Sequence, residues 1–138
     1  MKINVNGIGI NIQQQGCGDI SLVFLHYYGG SSRTWQSVIN LLPKHYHTVA
    51  IDQRGWGLSD APQSGYRIAD LARDAEGVIS ALGLKRYILI GHSMGGKVAQ
   101  LMASSRPAGL EGLVLIAPSP PSPMILTAEE RERLSSAS

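Results

Sequence analysis

Alternating apolar and polar positions open the chain: residues 2–6 and 8–14 each alternate and flank Asn6-Gly7, a dipeptide suited to a two-residue hairpin turn. Three later runs, Leu22-Val23-Phe24-Leu25, Thr48-Val49-Ala50-Ile51 and Arg86-Tyr87-Ile88-Leu89-Ile90, are short and largely apolar, as strands buried in a parallel sheet are. Residues 111–117 read as one further strand. Helical spacing lies between them. Trp35, Val38, Ile39 and Leu42 recur at that spacing, and Pro43 ends the segment. Between residues 67 and 82, Ile68, Leu71, Ala72, Ala75, Val78, Ile79 and Leu82 follow a 3.6 period, with Gly83 as the C-terminal stop. The polar positions of that segment, Arg67, Asp70, Arg73, Asp74 and Glu76, predict a solvated face. Residues 97–103 read as another helix. The proline-rich residues 118–123 predict a stiff exit loop, and Thr127-Ala128-Glu129-Glu130 has capping-box spacing for a short polar helix.

Strands alternating with helices predict an α/β fold with a mostly parallel sheet and helices on both faces. The chemistry is written where three of these strands end. Gly91-His92-Ser93-Met94-Gly95, followed by Gly96, has the G-x-S-x-G pattern that places a nucleophilic serine on a strand-to-helix turn. A turn that tight brings backbones close together, so side chains at Gly91 and Gly95 would collide with the neighbouring strand or helix. Ser93 Oγ is thereby expected at the C-terminal edge of the sheet, with the Met94 N–H aimed at a developing oxyanion. A second glycine-rich segment, His26-Tyr27-Tyr28-Gly29-Gly30-Ser31-Ser32, follows another strand, and a third, Asp52-Gln53-Arg54-Gly55-Trp56-Gly57-Leu58-Ser59-Asp60, follows another.

In this order the segments are similar to the H-G-x-x-G, D-x-R-G-x-G-x-S and G-x-S-x-G-G motifs of the α/β-hydrolase superfamily. The esterase, haloperoxidase-like and lactonase branch is the nearest match, and the resemblance runs from about Ile3 to Pro118. It implies a serine hydrolase in which Ser93 attacks an ester, lactone or related acyl carbon of a small-molecule substrate. The backbone N–H groups of Met94 and Tyr28 would stabilise the oxyanion, and no metal or organic cofactor is implied. A cofactor-independent perhydrolase using the same serine is the alternative within the enzyme class. Many members of that superfamily carry glycine directly after the histidine, whereas Tyr27 stands here. The rings of Tyr27 and Tyr28 could line the core or the pocket, or touch substrate. The resemblance gives His26 a loop-bracing role and makes Arg54 and Trp56 architectural, with Arg54 bracing backbone carbonyls. A structural role suits Asp52 better than that of triad acid, which the family places after the nucleophile. Lys97 is expected to be solvated or paired.

Family order puts an acid and then a histidine after the nucleophile; beyond Ser93 this sequence has Glu111, Glu129, Glu130 and Glu132 but neither aspartate nor histidine. The four histidines are His26, His45, His47 and His92. His45 and His47 fall at the start of a strand parallel to the one ending at Ser93, which puts them roughly 15 Å or more from Oγ. A general base must come within about 3 Å. The expected organisation is therefore an N-terminal part of a hydrolase core over residues 1–118, truncated after the strand that follows the nucleophile helix. An exit loop and the start of a cap region would occupy residues 119–138. A non-catalytic binding or interaction module of the same fold is the reading from a different class, and an unpaired last strand would invite self-association.

Composition narrows the partners. Of 138 residues, 43% are hydrophobic and 16% charged, and the formal charge of +2 comes with arginines spread along the chain. Without a basic stripe, nucleic acid is not an expected partner. The one cysteine, Cys17, cannot form an internal disulfide, and no Cys, His and Asp cluster has metal-ligand spacing. Neither a signal-peptide pattern nor a membrane-length apolar run occurs, so a cytoplasmic protein without membrane association is expected.

Overall fold

Asn6 and Gly7 take φ of +51° and +82°, and the tight turn they form folds β1 (Lys2–Val5) antiparallel onto β2 (Ile8–Gln15). The computed structural model describes residues 1–117. After β2 come β3 (Ser21–Leu25), a 3₁₀ turn over Ser32–Trp35, α1 (Gln36–Leu41), β4 (His47–Ile51), α2 (Ile68–Leu82), β5 (Tyr87–His92), α3 (Met94–Ser104) and β6 (Leu110–Ile116). The sheet order is β1-β2-β4-β3-β5-β6. β2 pairs antiparallel with β4, and the pairs from β4 through β6 are parallel, which gives the mostly parallel α/β sheet expected.

All five β3 residues are buried, because each face of the strand meets a different layer. Leu22 and Phe24, with Ala50 and Ile90, pack on Trp35 and Ile39. Val23 and Leu25, with Val49, Ile51 and Leu89, pack on Leu71, Ala75 and Val78 of α2 and on Val98 and Met102 of α3. Side chains that alternate across a strand and are apolar on both sides explain the unbroken hydrophobic runs. Chain order places β4 on one side of β3 and β5 on the other. The order in which strands are added thus switches sides at β3, and the crevice beyond the C-terminal ends of β3 and β5 is where open α/β sheets take ligands.

Two expectations change. Trp35 lies in the 3₁₀ turn rather than in the helix, and α1 lays one side on the sheet through Ile39 while Val38 and Leu41 are exposed. In α2, the expected solvated face holds for Arg67, Arg73 and Glu76 but not for Asp70 and Asp74, which are buried. Asp70 caps the helix by accepting the Arg67 N–H at 3.0 Å. Asp74 faces the loop after β4, whose arginine neutralises it. Gly83 ends α2 in the left-handed region, with φ +65°. Among the described residues no helix is long and apolar enough to cross a membrane. The exit loop and short helix expected after residue 117 lie outside the described residues.

Candidate active site

Ser93 stands alone between β5 and α3 with φ +55° and ψ −110°, a combination that non-glycine residues rarely adopt and that costs on the order of 1–3 kcal/mol. Such strain persists only where the surroundings fix it. The Ser93 N–H donates to the Ile116 carbonyl at 3.1 Å, and the Ser93 carbonyl accepts the Lys97 N–H at 3.1 Å, so β6 and α3 hold the residue from both ends. The flanking glycines supply the space. A Cβ on Gly95 would lie 2.6 Å from the His26 carbonyl oxygen, and one on Gly91 would lie 2.6 Å from Gly96 Cα. The N-terminus of α3 therefore rests directly against the end of β3. Met94 begins that helix, and its N–H has no acceptor among the described residues; the first N–H groups of a helix carry its positive end.

Beyond β3, residues 27–30 form a turn in which the Gly30 N–H donates to the Tyr27 carbonyl at 2.9 Å and Gly29 takes φ +83°. Tyr27 needs no left-handed backbone. Its ring meets His92 edge-on at 5.2 Å, and Trp35 meets the same imidazole from 6.4 Å. Tyr28 is half exposed, with its ring 5.3 Å from Trp56. The Tyr28 N–H, like that of Met94, finds no acceptor among the described residues.

The third glycine-rich segment supports the second. The Asp52 carboxylate is buried and accepts the Ser32 N–H at 2.6 Å, Asn11 Nδ2–H at 2.9 Å and the Leu58 N–H at 3.0 Å. Burial disfavours its charge, but the hydrogen bonds from Leu58, Ser32 and Asn11 together prevail and hold its pKa below 3.8. These bonds tie Asp52 to β2, to the 3₁₀ turn and to its own loop. Gln53 was not foreseen: its backbone N–H donates to His26 Nε2 at 3.0 Å and its side-chain amide donates to the His26 carbonyl at 2.9 Å. Its place between Asp52 and Arg54, at the end of an apolar strand, was the available signal. His26 Nδ1 in turn donates to the Tyr27 carbonyl at 2.8 Å, since Nε2 is occupied as an acceptor. Arg54 forks onto Asp74 at 2.6 and 2.8 Å and donates to the Gly65 carbonyl at 2.9 Å.

Among the described residues no histidine hydrogen-bonds to Ser93 Oγ. His47 sits at the start of β4, bonded to Ser21 Oγ and Gln14 Oε1, both at 2.8 Å, and His45 precedes it. His26 is engaged at both ring nitrogens, and the His92 ring lies among Tyr27 and Trp35. Lys97, expected solvated or paired, is 9% exposed and has no ion-pair partner among the described residues. Among the described residues no group of three or more His, Cys, Asp or Glu is gathered as a metal would require.

Comparison with known proteins gives a consistent result. A family model described as alpha/beta hydrolase fold matches residues 20–136. A 2-(acetamidomethylene)succinate hydrolase from Mesorhizobium japonicum is 33% identical over 115 residues, which is 83% of this chain and 41% of the relative. The esterase EaEST from Exiguobacterium antarcticum superposes with a TM-score of 0.79 at 30% identity, covering 86% of this chain and 45% of that one. An epoxide hydrolase from Bacillus megaterium gives a TM-score of 0.79 at 31% identity, covering 86% and 42%. The chain thus spans less than half the length of these relatives.

Proposed function

The chain belongs to the α/β-hydrolase fold family, and from that premise we propose that it carries the nucleophile and oxyanion site of a serine hydrolase acting on an ester, lactone or related acyl compound. The observation that carries this reading is the strained backbone of Ser93 at the head of α3, beside the end of β3. Strain of that kind is concentrated at functional sites. Relatives are named for acyl cleavage and for epoxide opening, and the nucleophile separates the two. A serine that opened an epoxide would become an ether, which water does not readily cleave, whereas a serine that attacks a carbonyl becomes an ester, which water does. The serine therefore favours acyl transfer.

In this reading Ser93 Oγ adds to the carbonyl carbon and the carbonyl oxygen takes the negative charge, held by the N–H groups of Met94 and Tyr28. Collapse of the tetrahedral intermediate expels the alcohol and leaves an acyl-serine for water to hydrolyse. No metal or organic cofactor enters. The proton of Ser93 needs a base within about 3 Å, and because no histidine hydrogen-bonds to Ser93 Oγ among the described residues, the base is assigned to a group outside residues 1–138. Acylation is accordingly slow in the chain by itself, and the acyl-serine should persist.

That persistence supplies the test. Incubated with p-nitrophenyl acetate, the protein should accumulate acetyl on Ser93, read by peptide mass spectrometry, with the exposed Ser37 of α1 as internal reference. An oxyanion site should make Ser93 react at least about 10²-fold faster than Ser37, and Ser93→Ala should abolish the adduct. Equal rates at the two serines would favour the non-catalytic binding module.

A further inference from the structure

We propose that Asp52 and Gln53 are a two-residue clamp that positions the oxyanion loop, holding its two ends from the C-terminal end of β4; this rests on the reading of Tyr28 as an oxyanion donor. The loop leaves β3 at His26 and enters the 3₁₀ turn at Ser32. Gln53 holds the first end through two hydrogen bonds to His26, one to the ring at 3.0 Å and one to the carbonyl at 2.9 Å. Asp52 holds the second end through the Ser32 N–H at 2.6 Å. Between these points the span contains a turn closed by Gly30 onto Tyr27 and the exposed Tyr28, with no strand pairing of its own.

Consecutive residues can reach both ends because β4 and β3 are parallel and in register, Leu25 lying opposite Ile51, so that Asp52 and Gln53 leave β4 beside the point where His26 leaves β3. Asp52 is itself fixed. Asn11 of β2 and the Leu58 N–H occupy its other oxygen, and Gly57 leaves no space for a side chain there, since a Cβ would lie 2.5 Å from Asp52 Oδ1. Within the span the Ser31 N–H donates to Thr34 Oγ1, the rings of Tyr27 and Tyr28 meet His92 and Trp56, and His26 Nδ1 donates to the Tyr27 carbonyl; Gln53 sets that imidazole through its backbone N–H. The donor's aim at an oxyanion depends on groups that never touch substrate. Asp52 and Gln53 are positioning residues, and their effect falls on the transition state, where the oxyanion exists.

The experiment compares Asp52→Asn and Gln53→Met with the parent protein. Asp52→Asn replaces one of the accepting oxygens with a donor. Gln53→Met keeps the backbone bond and nearly the same volume and removes only the bond to the His26 carbonyl, so it stays informative if Asp52→Asn fails to fold. Two readouts are taken: amide hydrogen exchange of residues 27–32 against Leu89 and Val98, and the concentration dependence of Ser93 acetylation by p-nitrophenyl acetate. The clamp predicts faster exchange in residues 27–32 with the core amides unchanged. It also predicts a maximal acetylation rate lower by about 10- to 100-fold, with the half-saturating concentration unchanged, as for contacts made only in the transition state. Loop exchange that stays at the parent level in Gln53→Met overturns the clamp whatever Ser93 does. Increased loop exchange with undiminished Ser93 acetylation overturns its positioning role. If the parent's Ser93 reacts no faster than Ser37, the functional reading fails instead, and loop exchange alone then decides whether the clamp exists.

Discussion

His26 shows how much one side chain can be asked to hold. Its Nε2 accepts a hydrogen bond from the Gln53 backbone, which only a neutral ring can do, so protonation would break the contact that anchors the loop before Tyr28. Burial pushes the His26 pKa below the ordinary 6.5, with the Tyr27 carbonyl and the Asp52 charge pulling only partly in the other direction. The unfolded chain therefore binds a proton near pH 6.5 that the folded chain refuses. Stability is complete above that pH and is lost as pH falls below it. His47, lowered by burial as well, contributes in the same window, while the depressed carboxylate of Asp52 adds a loss only once pH falls below 3.8. Thermal unfolding at about pH 8 and about pH 5.5 should show a lower midpoint at the acid pH, and the difference should shrink in His26→Gln and, separately, in His47→Gln. A difference left intact by both substitutions would mean that neither ring is held neutral by the fold.

Between elements, the most buried ion pair among the described residues is Arg54 and Asp74, whose side chains are 11% and 3% exposed. It ties the loop after β4 to the middle of α2, and Asn6 in the β1-β2 turn adds a bond to Asp74 at 3.2 Å. Because both charges are out of water, removing one leaves the other uncompensated. Asp74→Ala should destabilise the protein by about 3–5 kcal/mol in urea unfolding, and the apolar double replacement Arg54→Met with Asp74→Leu should cost less than that single change. Additive losses across a double-mutant cycle would show that the two side chains do not act as a unit. This joint also marks the limit of the sequence reading. The period of α2 located its buried apolar stripe correctly, but periodicity assigns every charged position to the outside, and only a partner from a distant loop brings Asp74 inward. Arg54 was expected to brace a carbonyl, and it does so at Gly65; its carboxylate partner was hidden among apparently solvated charges. Gln53 escaped notice for a related reason, since an amide in a variable motif position carries no chemical signature until a neighbouring strand gives it a carbonyl to hold.

For the molecule as a whole, what was legible came from backbone demands: Asn6-Gly7 for the hairpin, apolar runs for strands covered on both sides, and Gly91 and Gly95 for the contact of α3 with β3. Each motif reports a place where only certain residues fit. Coverage of β6 follows no such local rule. Val114 and Ile116 lie beside Ile90 and His92 in the sheet register, on the side that Trp35 and Ile39 cover for the inner strands, yet they are 46% and 43% exposed, and Leu113 on the opposite face is 39% exposed. Among the described residues no strand pairs with the outer edge of β6. An edge with free backbone groups and apolar side chains favours pairing with another chain, and self-association of this protein through β6 is the expected result. Sedimentation velocity over a range of concentrations should show mass rising with concentration, and Val114→Lys, a charge placed on the edge strand, should shift the protein towards monomer. The carbonyl of Ile116 holds the Ser93 N–H, so whatever orders β6 also steadies the serine, and association should slow amide exchange at Ser93. A monomer at every concentration, with cooperative unfolding worth at least about 5 kcal/mol, would show instead that β6 is stable with its outer edge in water.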